Sequence, residues 1–131
     1  MELLLDTCTL IWTCLNDQSL PDNIKDIINN YDNDIYVSTA SLWEIEIKHN
    51  KNPKAMPLTA LEVYKAMLVS DFRLISPQPD YLFELGSITS QEIHRDPFDH
   101  LILAMAKQEK MTLVTHDKFM PKYDGIKILK Y

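Results

Sequence analysis

The chain has 131 residues, of which 46% are hydrophobic and 24% charged, and a formal net charge of −6. That length fits one ordinary domain with a sizeable core, and the composition excludes a disordered chain. Only two glycines are present, which excludes a Gly-rich dinucleotide or Walker loop, and Cys8 and Cys14 match neither a zinc spacing nor a disulfide framework.

Leu3-Leu4-Leu5 is a short continuous apolar run, the pattern of a strand buried on both faces. A helix is expected directly after it. Ile24, Ile27, Ile28 and Tyr31 recur at helical spacing behind Ser19 and Pro21. Ile35 to Val37 reads as a second strand. Ser38 to Ser41 offer caps for a helix running to about His49, and residues 50–57 form a polar loop. Thr59 and Glu62 make a capping box for the next helix. Phe72 to Ile75 reads as a third strand, followed by a short helix ending near Gly86. Asp96-Pro97 opens the clearest helix: Asp96 as cap, Pro97 in the first turn, then Phe98, Leu101, Ile102 and Met105 on one face. Met111 to Thr115 reads as a fourth strand and Ile126 to Leu129 as a candidate fifth. Helical apolar patterns assign Trp12, Trp43 and Phe98 to the core, and Cys8 is also expected to be buried.

Strands alternating with helices imply an α/β fold: a mainly parallel four- to five-stranded sheet with helices on both faces, in a single domain spanning 1–131. No apolar run approaches the roughly 18 residues of a membrane span. With Glu2 and Asp6 and no basic segment at the N-terminus, no signal peptide is expected, so the reading is a cytoplasmic protein without a membrane partner. Charge is uneven: residues 1–46 carry nine acids and one base, whereas residues 47–131 carry ten acids and twelve bases. Such acidity disfavours a nonspecific nucleic-acid coat, unless cations neutralise part of it.

Ligands of parallel sheets bind at the carboxyl ends of the strands. Asp6 ends the first strand, Glu44 lies early in the helix after the second, Asp99 lies in the first turn of the helix returning to the fourth, and Asp117 follows that strand. Asp96, three residues before Asp99, joins them as a fifth acid, either ligand or helix cap. Each acid also has a local structural reading. Asp6 and Asp117 suit caps, Glu44 suits a pair with Ser41 or Lys48, and Asp99 suits a helix N-terminus. Their convergence on one edge is the informative feature. Clustered carboxylates repel, and an oxygen-only set favours Mg²⁺ or Mn²⁺ over zinc. Such a site suits phosphodiester hydrolysis, in which an ion activates water and no serine or cysteine nucleophile is needed.

Four segments carry a family resemblance: LLLDTCTLIW around Asp6, VSTASLWEIEIKH around Glu44, HRDPFDHLILAMA around Asp96 and Asp99, and TLVTHDKF around Asp117. In this order the chain resembles the PIN-domain proteins, and most closely the VapC-type toxin ribonucleases, in the subgroup with an HRDPFD motif. The resemblance implies a three-layer α/β/α sandwich and a Mg²⁺- or Mn²⁺-dependent endoribonuclease. It further implies an RNA substrate, a small cognate antitoxin and homodimerisation. It maps Asp6, Glu44, Asp99 and Asp117 onto the family's acidic metal positions. His100 stands where many relatives carry arginine, and Asn50-Lys51-Asn52-Pro53 replaces a glycine-containing turn.

Other residues have weaker assignments. His94 and Arg95 precede the Asp96 helix, where its positive end could meet a phosphate, and Lys48 could meet an RNA backbone; plain loop and solvent positions are the favoured reading of all three. His100 is expected to decorate its helix and His116 to face solvent. Two other functions compete: a PIN-like binding module acting through a partner or promoter complex, and a phosphatase with Asp6 as nucleophile, disfavoured because Cys8 stands where a second acid is needed.

Overall fold

The computed structural model describes residues 1–131. Strand β1 (Glu2–Leu5) leads into α1 (Thr7–Leu15) and α2 (Asp22–Asn29). Strand β2 (Asp34–Ser38) leads through α3 (Thr39–Lys51) and α4 (Ala60–Val69) to β3 (Arg73–Ile75). Helices α5 (Pro79–Thr89) and α6 (Pro97–Glu109) precede β4 (Thr112–Thr115), and a 3-10 turn (Met120–Lys122) precedes β5 (Lys127–Lys130). The sheet order is β3-β2-β1-β4-β5, and every pairing is parallel. This is the expected α/β architecture with five strands.

The opening leucines explain how the layers form. Leu3, Leu4 and Leu5 are all fully buried. Successive strand side chains point to opposite faces. Leu3 and Leu5 therefore pack with Ile35, Val37 and Val114 against apolar residues of α1 to α4. Leu4 and Leu113 point the other way, into a second core built from α5 and α6. A strand at the centre of the sheet, covered on both faces, needs apolar residues at every position, and β1 has them.

The chain leaves β1 for β2 and β3 on one side, then crosses to β4 and β5 on the other. The order thus reverses between β1 and β4, and the carboxyl ends of these two strands flank the topological switch point. The backbone N–H of Asp6 continues the ladder by donating to the Val114 carbonyl, 3.2 Å away.

Several local expectations are corrected. Helix α5 runs through Gly86 to Thr89, because burial of Ile88 outweighs the roughly 1 kcal/mol helix cost of one glycine. Tyr31 lies beyond α2. The Asn30 side chain accepts from the Asp32 amide at 2.9 Å and substitutes a turn for another helical turn. Trp43 is 64% exposed, since α3 buries Ala40, Ser41, Glu44 and Ile45 and leaves Trp43 and Ile47 on the opposite face. Trp12 and Phe98 are half-buried. Cys8 is exposed, because α1 buries Thr7, Thr9, Leu10 and Ile11 and turns position 8 outward. His100 is buried. No helix is long and apolar enough to cross a membrane.

Candidate active site

A cleft of about 600 Å³ opens at the switch point, and Asp6, Glu44, Asp96, Asp99 and Asp117 all line it. Elements distant in sequence bring them there. Asp6 caps α1 at the end of β1, its Oδ1 accepting from the Thr9 amide at 2.7 Å. Its Oδ2 accepts a short hydrogen bond from the Thr115 hydroxyl at the end of β4. That hydroxyl oxygen in turn accepts from the Asp117 amide at 2.9 Å, so one threonine ties two acids together across the adjacent strands. Asp117 Oδ1 accepts from the amides of Phe119 and Met120 at 2.6 and 3.0 Å, which fixes the turn after β4.

Glu44 is buried in the second turn of α3, on its inward face. Its Oε1 accepts from the Thr7 hydroxyl at 2.7 Å, and its Oε2 pairs with the Lys48 ammonium at 2.7 Å, one turn on. Asp96 caps α6, its Oδ1 accepting from the amides of Phe98 and Asp99 at 2.9 and 3.2 Å. Asp99, two residues into that helix, accepts from His94 Nε2 at 3.0 Å.

The electrostatics are strained. Burial pushes the Asp6 carboxyl above its ordinary range despite its hydrogen bonds, and the Asp117 charge adds to the shift. Burial, together with the Asp96 and Asp117 charges, pushes Asp99 up to about 7, against the opposing pull of His94. No three His, Cys, Asp or Glu side chains converge tightly enough to enclose an ion as they stand. Repulsion and separate protein partners hold the acids apart along the cleft walls. Their chemistry nonetheless fits a hard divalent cation. The set is oxygen-only, it concentrates negative charge in a partly desolvated cleft, and two of its members hold protons more tightly than an isolated aspartate.

The remaining candidates are placed as follows. Lys48 reaches the cleft but spends its charge on Glu44. His94 is turned inward, with both ring nitrogens in hydrogen bonds to Asp99 and Tyr123. Arg95 is exposed at the entry to α6. His116 is exposed, as expected, at the cleft wall, with its Nδ1–H donating to the Tyr131 carbonyl at 2.6 Å. Cys8 also lines the cleft, and although the residue is exposed, partial desolvation of its thiol and the Asp6 charge push it up to about 11. It therefore carries negligible thiolate at neutral pH.

Sequence reasoning missed the hydroxyl residues: Thr7, Thr115 and Tyr123 all bind acids of the cleft or their partners. Thr115 was detectable as the polar residue closing β4 after the apolar pair Leu113 and Val114. For Tyr123 there was no local signal, since its partner lies 29 residues earlier.

No curated protein matches the sequence significantly. Among solved structures, one similar chain comes from VapBC2 of Rickettsia felis bound to a DNA fragment from its promoter. It shares 18% identity at a TM-score of 0.76, with 99% of this chain and 98% of that chain covered. A toxin-antitoxin complex from Klebsiella pneumoniae contains a similar chain at 21% identity and a TM-score of 0.64, covering 98% and 96%. VapC20 of Mycobacterium tuberculosis, a Sarcin-Ricin loop cleaving toxin, matches at 12% identity and a TM-score of 0.67, covering 98% and 99%. At these identities the likeness is one of fold. The family description of the PIN domain matches residues 3–126, from the first leucine of β1 to the threshold of β5. With that match over nearly its whole length, and with its acids gathered at the switch point of a parallel sheet, the chain belongs to the PIN domain family.

Proposed function

We propose that the protein is a Mg²⁺- or Mn²⁺-dependent endoribonuclease of the VapC type, acting in the cytoplasm as the toxin of a toxin–antitoxin pair. The observation that carries this reading is the lining of one cleft by Asp6, Glu44, Asp99 and Asp117, with Asp96 beside them. Family membership supports a nuclease, and the similar chains found in VapBC and toxin-antitoxin complexes support an antitoxin partner.

Asp6, Glu44, Asp99 and Asp117 would hold the cation in this reading, and Asp96 caps α6 beside Asp99 at the cleft. A bound divalent ion supplies positive charge for the scissile phosphate and activates the attacking water. The chain's own groups do the rest. Thr115 fixes Asp6 and Asp117 relative to one another. Thr7 orients Glu44, and the i+4 partner Lys48 neutralises its second oxygen until a cation would compete for that carboxylate. Lys48 at the cleft wall and the exposed Arg95 at the entry to α6 would meet the RNA backbone in this reading and offset the acidity of the cleft. The antitoxin covers the acids with a cationic side chain; arginine fits best, because its forked donors match carboxylates. Homodimerisation belongs to the same reading, and light scattering of the purified toxin tests it.

The decisive experiment is cleavage of a mixed pool of tRNA, rRNA and mRNA by protein free of any partner. Discrete cuts are expected with Mg²⁺ or Mn²⁺, and none with EDTA or with Asp6→Asn. Intact RNA in all reactions, from protein that binds Mn²⁺, would favour the binding-module reading instead.

A further inference from the structure

We propose that His94 and Tyr123 are positioning residues for Asp99: a hydrogen-bond chain from the C-terminal segment turns one oxygen of that carboxylate into the fold and leaves the other for a cation. The inference rests on the metal-dependent reading of the cleft.

Four contacts make up the chain; the Tyr123 hydroxyl also lies 3.5 Å from the His94 carbonyl and 3.3 Å from His100 Nε2, and the shortest contacts select one assignment of donors. The buried His100 Nε2–H donates to the His94 carbonyl at 2.7 Å. The His94 backbone N–H donates to the Tyr123 hydroxyl oxygen at 3.3 Å. That hydroxyl donates to His94 Nδ1 at 2.7 Å. Nδ1 is thereby the acceptor, so the other ring nitrogen is the donor, and Nε2–H points at Asp99 Oδ2, 3.0 Å away. The order of donors and acceptors ends on the carboxylate.

The packing holds the imidazole in that pose. Phe119 stacks on its face, with centroids 5.4 Å apart and planes 16° from parallel. The rings of Tyr123 and His100 meet it edge-on at 5.5 and 5.1 Å. His94 itself lies in an irregular segment between α5 and α6, with no helix or strand to fix it. Its position is therefore set by contacts from the segment after β4 and from His100 of α6. That segment also serves a second acid, since the Phe119 amide donates to Asp117 Oδ1. Residues that orient a carboxylate ligand in this way affect how well it meets a metal without touching the metal themselves. A direct phosphate contact by His94 would require breaking a bond at one of its ring nitrogens.

Mn²⁺ titration of the full chain by calorimetry tests the proposal. Tyr123→Phe keeps the ring and removes only the hydroxyl. His94→Ala removes the donor to Asp99, and His94→Gln returns an amide N–H close to the site of Nε2. Tyr123→Phe and His94→Ala are expected to bind Mn²⁺ about 10- to 100-fold more weakly, with His94→Gln recovering most of the loss. Unchanged or tighter binding by the folded Tyr123→Phe and His94→Ala proteins would overturn the proposal, while wild-type binding would leave the nuclease reading standing. Wild-type protein that takes up no Mn²⁺ would sink both. Nitrogen NMR of the metal-free protein provides an independent arm. His94 should show the Nε2–H tautomer, and in Tyr123→Phe its Nδ1 signal should shift as that nitrogen loses its hydrogen-bond donor; an Nδ1–H tautomer, or no change in the variant, would refute the proposal whatever the metal result.

Discussion

Desolvated and facing Asp96 and Asp117, the Asp99 carboxyl is held up to about 7, against 3.8 for an isolated aspartate. The sign of the consequence follows from linkage. The folded protein binds this proton more tightly than the unfolded chain, so Asp99 detracts from stability above pH 7, and the deficit disappears as pH falls from 7 towards 4. Asp99→Asn keeps an oxygen to accept from His94 Nε2–H and deletes the charge. In EDTA at pH 8 it should melt about 3–6 °C above wild type, the shift that about 1 kcal/mol gives in a domain of this size. At pH 5 the two melting curves should draw together. A variant less stable than wild type at pH 8 would show that the His94 contact outweighs burial and repulsion. Asp6 is also raised, but it is locked by Thr9 and Thr115, and its effect is harder to separate from loss of the α1 cap.

Helix α6 shows how one element supports both fold and site. Its residues Ile102 to Ala106 are all buried, packed between α5 and the sheet. Its first turn faces the cleft: Asp96 satisfies two amides that have no partner within the helix, Pro97 needs none, and Asp99 projects beside them. The dual nature of Asp96 can be resolved by substitution. Asp96→Ala should cost about 1 kcal/mol in urea unfolding through the lost cap, whereas Asp96→Asn should stay within about 0.5 kcal/mol of wild type. If Asp96 is a cap alone, Asp96→Asn keeps its RNA-cleaving activity; a collapse of activity with stability intact would make it a fifth ligand.

Across the whole molecule, the acids of the cleft set stability against function. Two of them lie in residues 1–46, which carry a net −8, and three lie in residues 47–131, which carry a net +2. A cation that binds the folded cleft and not the unfolded chain must stabilise the fold. At a hundred times its Kd, Mn²⁺ should add about 2.7 kcal/mol to unfolding free energy, visible as a rise in Tm. Asp6→Asn should lose most of that gain. An equal gain in the variant would place the ion elsewhere on this acidic protein.

Much of this arrangement was legible along the chain because it depends on neighbours. Alternation and punctuation carried the strand–helix order. The unbroken apolar run of Leu3 to Leu5 marked a strand covered on both faces, and Asp96-Pro97 and Thr59/Glu62 announced their helix starts through capping chemistry confined to one turn. Given that order, the rule placing ligands at strand carboxyl ends was enough to gather Asp6, Glu44, Asp99 and Asp117. Facing and partnership were decided only by the tertiary structure. A pattern of apolar residues does not say which of two helix faces meets the sheet, so Trp43 and Cys8, expected inside, lie at the surface, while His100, expected outside, is buried. The hydroxyls of Thr115 and Tyr123 reach acids or their partners 109 and 29 residues away. Hydrogen bonds between distant segments exist only once packing has brought those segments together, and no local spacing encodes them.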